Sequence, residues 1–192
     1  MIAMPIRHSL SEVAKVANLI RYQLGPFTDR IEIVGSVRRR RPFPKDVEVL
    51  FIPKYRVKTS DLFSAKASTM DDLVDAELAR WIADGRIRHR HSVIGSPTWG
   101  KENKYAVHSE TDIAINFFAT THDNWWNALV MRTGGKQNNI NISSAARRRG
   151  WTFEACGSGL SSLRGLPHHQ TTSERDVFEF VGLEYLEPEN RP

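Results

Sequence analysis

Asp46-Val47-Glu48 sets two carboxylates two residues apart at the head of an apolar stretch, Asp46 to Ile52, that reads as a buried strand closed by Pro53. The strand period of two puts both acids on one face and Val47, Val49 and Phe51 on the other. Acids side by side repel, and in a half-buried strand they are costly unless a cation lies between them. Asp112 opens a second strand of the same kind, Thr111 to Phe117, and supplies a third acid. A Gly35-Ser36 turn stands 11 residues before the first acid. Three acids on one sheet face beside such a turn would hold two divalent metals about 3.5 to 4 Å apart and with them a nucleoside triphosphate, so the chemistry to expect is metal-assisted phosphoryl transfer. Glycine lets the backbone approach phosphate oxygens closely, and Ser36 and Arg39 can add a hydroxyl and a guanidinium to the same phosphates.

The elements that must position these groups are legible from periodicity. Ser9 or Ser11 can cap a helix whose apolar residues Val13, Val16, Ala17, Ile20 and Leu24 recur at helical spacing, and Gly25-Pro26 stops it. Ile31 to Val34 is a short strand by its β-branched content and runs into the Gly35-Ser36 turn. Asp71 to Ala83 reads as a second helix with Leu73, Val74, Leu78, Trp81 and Ile82 on one stripe. Arg86 to Ile94 and Tyr105 to His108 are strand candidates around the Gly95-Ser-Pro turn. Trp125 to Met131 is helical until Thr133-Gly134-Gly135, Asn138 to Arg149 is a further helix ended by Gly150, and Asp176 to Gly182 is a short one. This order predicts an α+β fold with a smaller appendage, the break falling near Asn116 to Asn124.

The chain has 192 residues, 40% hydrophobic and 26% charged, which fits a soluble globular protein of one large domain or two small ones. No apolar run approaches the roughly 18 residues of a membrane span, and the first residues lack the pattern of a secretory signal, so neither a membrane role nor secretion is expected. The single cysteine, Cys156, excludes an intrachain disulfide framework and makes a reducing cytoplasmic compartment the default. The net charge of +5 gains meaning because basic residues cluster at Arg38 to Arg41, Arg86 to His91 and Arg147 to Arg149, a distribution suited to a phosphate-rich partner. Other candidates are poorer. His168-His169 has no partner at zinc spacing, Cys156 has no histidine nearby, Gly157-Ser-Gly159 is too short for a phosphate loop, and Trp125, Trp126 and Trp151 read as core more readily than as base-stacking platforms.

Gly35-Ser-Val-Arg-Arg39, followed by Asp46-Val-Glu48 and then Asp112, resembles the nucleotidyltransferase signature of the DNA polymerase X family, the family of polymerase beta. Thr133-Gly-Gly135 with Asn139 and Asn141 resembles that family's Thr-Gly-Ser turn and following helix. The segment Glu174 to Arg191 resembles its closing segment, and the likeness spans roughly residues 7 to 191 with little in Tyr55 to Ser96. The resemblance implies a nucleotidyltransferase palm with a mixed β-sheet flanked by helices over residues 1–120 and a small α+β thumb over 121–192, with no lyase or helix-hairpin-helix domain. It implies that Asp46, Glu48 and Asp112 hold two Mg2+ ions, with Mn2+ as a substitute. Gly35, Ser36, Arg39, Lys45 and Arg7 would bind the triphosphate. Arg132, Thr133, Gly134 and Asn139 would meet the sugar and base of the incoming nucleotide, and Lys101, Lys104, Arg147 and Arg148 would contact DNA.

The expected function is that of a minimal DNA polymerase extending a primer 3′ end, filling short gaps in repair as a DNA-associated cytoplasmic monomer. The alternatives are template-independent transfer to a nucleic-acid end or other acceptor, and a non-catalytic DNA-binding protein. Departures from the family pattern bear on this choice. Glu48 stands where the pattern has Asp, Pro44-Lys45 replaces a small Ser-Gly pair, and Glu110 takes the place of a basic residue beside the third acid. Gly135 replaces a serine, and Met131-Arg132 replaces an aromatic pair that discriminates against a ribose hydroxyl. The longer acid is expected to slow Mg2+-supported catalysis or favour Mn2+, because magnesium demands near-ideal octahedral geometry.

Overall fold

A computed structural model of the chain describes residues 8–58, 69–91, 97–154 and 159–192. Arg7, Cys156 and the head of the Gly95-Ser-Pro turn lie outside these residues. Helix α1, Leu10–Leu24, begins at a capping box in which Ser9 Oγ accepts the Glu12 N–H at 3.3 Å and Glu12 Oε2 accepts the Ser9 N–H at 2.7 Å. Its buried stripe is Val13, Val16, Ala17, Ile20 and Leu24, as the spacing predicts.

Strand β1, Thr28–Val34, leads into the short helix α2, Gly35–Arg38, and then β2, Asp46–Pro53. A hairpin of β3, Tyr55–Lys58, and β4, Thr69–Asp72, precedes helix α3, Leu73–Ala83, which Asp72 caps through the N–H groups of Val74 and Asp75. Next come β5, Ile87–His89, β6, Asn103–His108, and β7, Ala114–Ala119. The remainder holds α4, Trp125–Thr133, α5, Lys136–Arg148, the small pair β8, Trp151–Phe153, and β9, Leu160–Ser162, and α6, Glu174–Phe180. The fold is α+β, as expected.

The main sheet has strand order β1-β2-β7-β6-β5, with β2 and β7 parallel and the other neighbours antiparallel. Strand alternation divides it cleanly. Val47, Val49, Phe51, Ile115 and Phe117 face α1 and α3, where they pack with Val13, Ile20, Leu78 and Trp81. Leu50, Ile52 and Phe118 face the other way, against Trp125, Ala128 and Leu129 of α4. A separate core of Ile142, Ala145, Phe153, Val177 and Phe178 holds α5, β8 and α6 together. Each fully buried Val, Ile, Leu or Phe contributes about 1.5–3 kcal/mol. Because α1 and α3 fill one face, the polar groups at the start of β2 can open only toward the other.

Candidate active site at the sheet and helix junction

Asp46 and Glu48 lie on the face of β2 turned away from α1 and α3, both half-buried. Burial raises the Asp46 carboxyl above its ordinary range despite a hydrogen bond from Asn116. Burial and then the Asp46 charge push Glu48 up to about 7, against the opposing charges of Arg39 and Arg132. The pair is a set of hard oxygen donors whose mutual repulsion a divalent cation would relieve, so the two acids fit the metal that the chemistry calls for.

Gly35 closes the site from the β1 side. Its φ of +64° suits glycine, and an added Cβ would overlap the Glu48 carboxylate. The Glu48 carboxylate lies against Gly35, and the neighbouring Ser36 N–H favours its charged form, so the longer acid reaches back onto the turn that the sequence marks for phosphates. Arg39 extends from the same turn, and its Nη1 donates to the Thr133 carbonyl at 2.5 Å. Lys45 is exposed, and its charge lowers Asp46.

The third acid sits apart. Asp112 has a φ of +58° and belongs to the turn before β7, not to the strand. Its carboxylate is exposed and accepts from Arg88 Nη2 at 2.6 Å. Among the described residues no three acid or histidine side chains come together as a metal cluster.

The carboxy-terminal elements meet this turn through buried charges. Arg38 donates through Nη1 and Nη2 to both oxygens of Glu174, at 2.8 and 2.7 Å, and through Nη1 to Thr133 Oγ1 at 2.7 Å. Arg191, fully buried, reaches the same Glu174 at 2.8 Å.

Residues 128–192 match the family described as DNA polymerase beta thumb. A solved polymerase beta from Leishmania infantum, in a ternary P/T complex, superposes with a TM-score of 0.72 at 19% identity, covering 97% of this chain and 77% of that one. The fold is polymerase beta-like. No curated protein matches its sequence.

In this polymerase beta-like frame the thumb region brings Thr133, Gly134 and Asn139 to the turn. Thr133 is buried, the Gly134 N–H donates to the Val130 carbonyl at 2.8 Å, and Asn139 Nδ2 donates to the Met131 carbonyl at 2.8 Å. Asn139 Oδ1 is buried without a hydrogen-bond partner among the described residues. Arg132 lies over the Phe118 ring at 3.8 Å from its centroid and donates to Asn103 Oδ1 at 3.2 Å, close enough to Glu48 for its charge to be felt there.

The residues expected on DNA divide. Lys101, Arg147 and Arg148 are exposed. Lys104 is 2% exposed and pairs with Asp75 of α3 at 2.7 Å. Its register partner Phe117 belongs to the α1 and α3 side, so strand alternation turns its ammonium away from the acids and from any ligand beside them.

The sequence marks neither Asn116 nor Glu174 for the site, and it offers Arg38 and Arg90 only as members of basic clusters suited to a phosphate-rich partner. The signal for Asn116 was a single amide inside the otherwise apolar run Ile113 to Phe118. Glu174 gave none, because its partners lie far away in sequence.

Proposed function

We propose that this chain is a DNA polymerase that extends a primer 3′ end by nucleotidyl transfer and fills short gaps in repair, with a palm over residues 1–120 and a thumb over 121–192. The observation that carries this is the Asp46–Glu48 pair, which no salt bridge relieves among the described residues, beside the Gly35-Ser36 turn where the thumb region docks.

Asp46 and Glu48 would hold the divalent cations, with Asp112 joining once it leaves Arg88. Mg2+ or Mn2+ bound there would supply the Lewis acidity that activates a 3′ hydroxyl and neutralises a leaving pyrophosphate. The chain's own groups do the remaining work. Gly35 admits phosphate oxygens close to the backbone, Ser36 offers its N–H once Glu48 turns toward a cation, and Arg39 and Lys45 bring positive charge to the triphosphate. Thr133, Gly134, Arg132 and Asn139 border the sugar and base, and exposed Lys101, Arg147 and Arg148 provide a footing for DNA phosphates. The solved neighbour was captured in a ternary P/T complex, which supports a primer and template as the partner here.

The test is extension of a labelled primer on a gapped duplex, against the same primer without template, with each dNTP and rNTP in Mg2+ and in Mn2+. Template-matched addition is expected. Addition without template would move the function to end processing, and no transfer in any mixture would refute the proposal.

A further inference from the structure

The acids of the site are held from an unexpected quarter, the edge strand of the sheet. Register carries a row of side chains from that edge to the acidic pair. The Arg90 N–H donates to the Tyr105 carbonyl at 3.0 Å, Tyr105 is opposite Asn116, and Asn116 is opposite Glu48. Residues in register share a face, and a diagonal neighbour lies within reach of a polar side chain. The Arg90 guanidinium crosses the Tyr105 ring at 4.7 Å from its centroid and donates through Nη2 to Asn116 Oδ1 at 2.8 Å. Asn116 Nδ2 in turn donates to Asp46 Oδ2 at 2.8 Å.

Asn116 is 8% exposed. An amide at such a depth is costly unless both its ends are satisfied, and here both are. The orientation is also decided: Arg90 has no acceptor atom, so it fixes Oδ1 toward itself and leaves only Nδ2 for Asp46. One oxygen of Asp46 is thereby tied, leaving Oδ1 for a ligand.

Resting on the reading of Asp46 as a cation ligand, we infer that Asn116 is a positioning residue that sets the Asp46 carboxylate for metal, and that Arg90 acts through it by fixing the amide's direction. Two residues earlier on the same edge, Arg88 holds Asp112 directly. Arg88 of β5 and Arg90 just past its end thus reach two of the three acids.

Mn2+ titration of the full chain followed by electron paramagnetic resonance, without DNA or nucleotide, tests this with Asp46→Asn as the blank. Asn116→Leu, close in size but unable to donate to Asp46, is expected to weaken Mn2+ binding about tenfold. Arg90→Gln decides how the arginine acts. Loss of a nearby positive charge alone would tighten Mn2+ binding, whereas loss of the amide's anchor weakens it, and weakening of about threefold is expected. In primer extension, Asn116→Leu should lower kcat about tenfold or more at saturating metal while KM for the nucleotide stays within about twofold, and Asn116→Ser should recover part of the loss.

Undiminished Mn2+ affinity in Asn116→Leu, or tighter binding in Arg90→Gln, overturns the inference; the second variant changes a partly exposed residue and answers even if the first does not fold. The two readings fail separately. Weakened Mn2+ binding in a chain that transfers no nucleotide leaves the positioning role standing without the polymerase, and active variants with wild-type Mn2+ affinity leave the polymerase without the positioning role.

Discussion

Glu174 and Glu48 are both glutamates held among arginines, and the molecule treats them in opposite ways. Burial alone would raise the Glu174 carboxyl, but hydrogen bonds from Arg38 and Arg191 and their charges hold it below the ordinary range. Burial and the Asp46 charge raise Glu48 to about 7, and the charges of Arg39 and Arg132 do not offset them. The arginines at Glu174 bond to it, whereas Arg39 bonds to the Thr133 carbonyl and Arg132 to Asn103. A satisfied buried acid fixes how the thumb region docks. An unsatisfied one keeps free energy in reserve for a ligand.

The largest expected effect comes from breaking the unsatisfied side. Asp46→Asn should reduce nucleotidyl transfer by about four orders of magnitude, roughly 5.5 kcal/mol of barrier, while thermal melting of the chain is unchanged or rises because Glu48 loses a repelling neighbour. Breaking the satisfied side should act on the fold instead. Glu174→Gln leaves the buried Arg191 and the partly buried Arg38 without a counter-charge, and urea denaturation should register a loss of about 3–5 kcal/mol.

Titration sharpens the contrast because the two acids have opposite signs. The depressed Glu174 contributes stability that is present above the ordinary carboxylate range and lost as pH falls through its folded value. The raised Glu48 contributes stability that is fully present below about 4.5 and lost as pH rises through about 7. Metal-free protein should therefore weaken between those values, and Glu48→Gln should flatten that decline by about 1–3 kcal/mol, with added Mg2+ or Mn2+ doing the same for the native chain. The smallest effect is reserved for a pair that resembles the junction only in composition. Arg40 meets Glu189 at 3.1 Å but is 75% exposed, and Arg40→Ala should shift stability by less than about 0.5 kcal/mol.

Much of this was written locally. The stripe of α1, the β2 strand, the break at Thr133-Gly134-Gly135 and the Gly35-Ser36 turn depend on neighbours within a few residues, and the structure has them where the spacing predicts, with ends displaced by a residue or two. The hairpin of β3 and β4 and the pair β8 and β9 went unread because short strands at polar edges carry little periodicity. The spacing predicts Asp112 at the start of a strand, yet its positive φ places it in the preceding turn, where Arg88 from the edge strand takes its carboxylate. The resemblance puts Lys104 on DNA, and no local pattern shows that α3 supplies Asp75 to bury it. Pairings made across the sheet, including that of Asn116 with Asp46, depend on register, which the sequence of one strand does not encode.

Gly135 carries one more consequence. An added Cβ there would overlap the Pro192 carbonyl, the same oxygen that accepts the Asn138 N–H at 3.0 Å at the start of α5. The loop and the tail thus share one volume. Among diverging descendants of this chain, a side chain at 135 should be inherited together with a rerouted tail, and the two positions should covary although they lie at opposite ends of the thumb region's sequence.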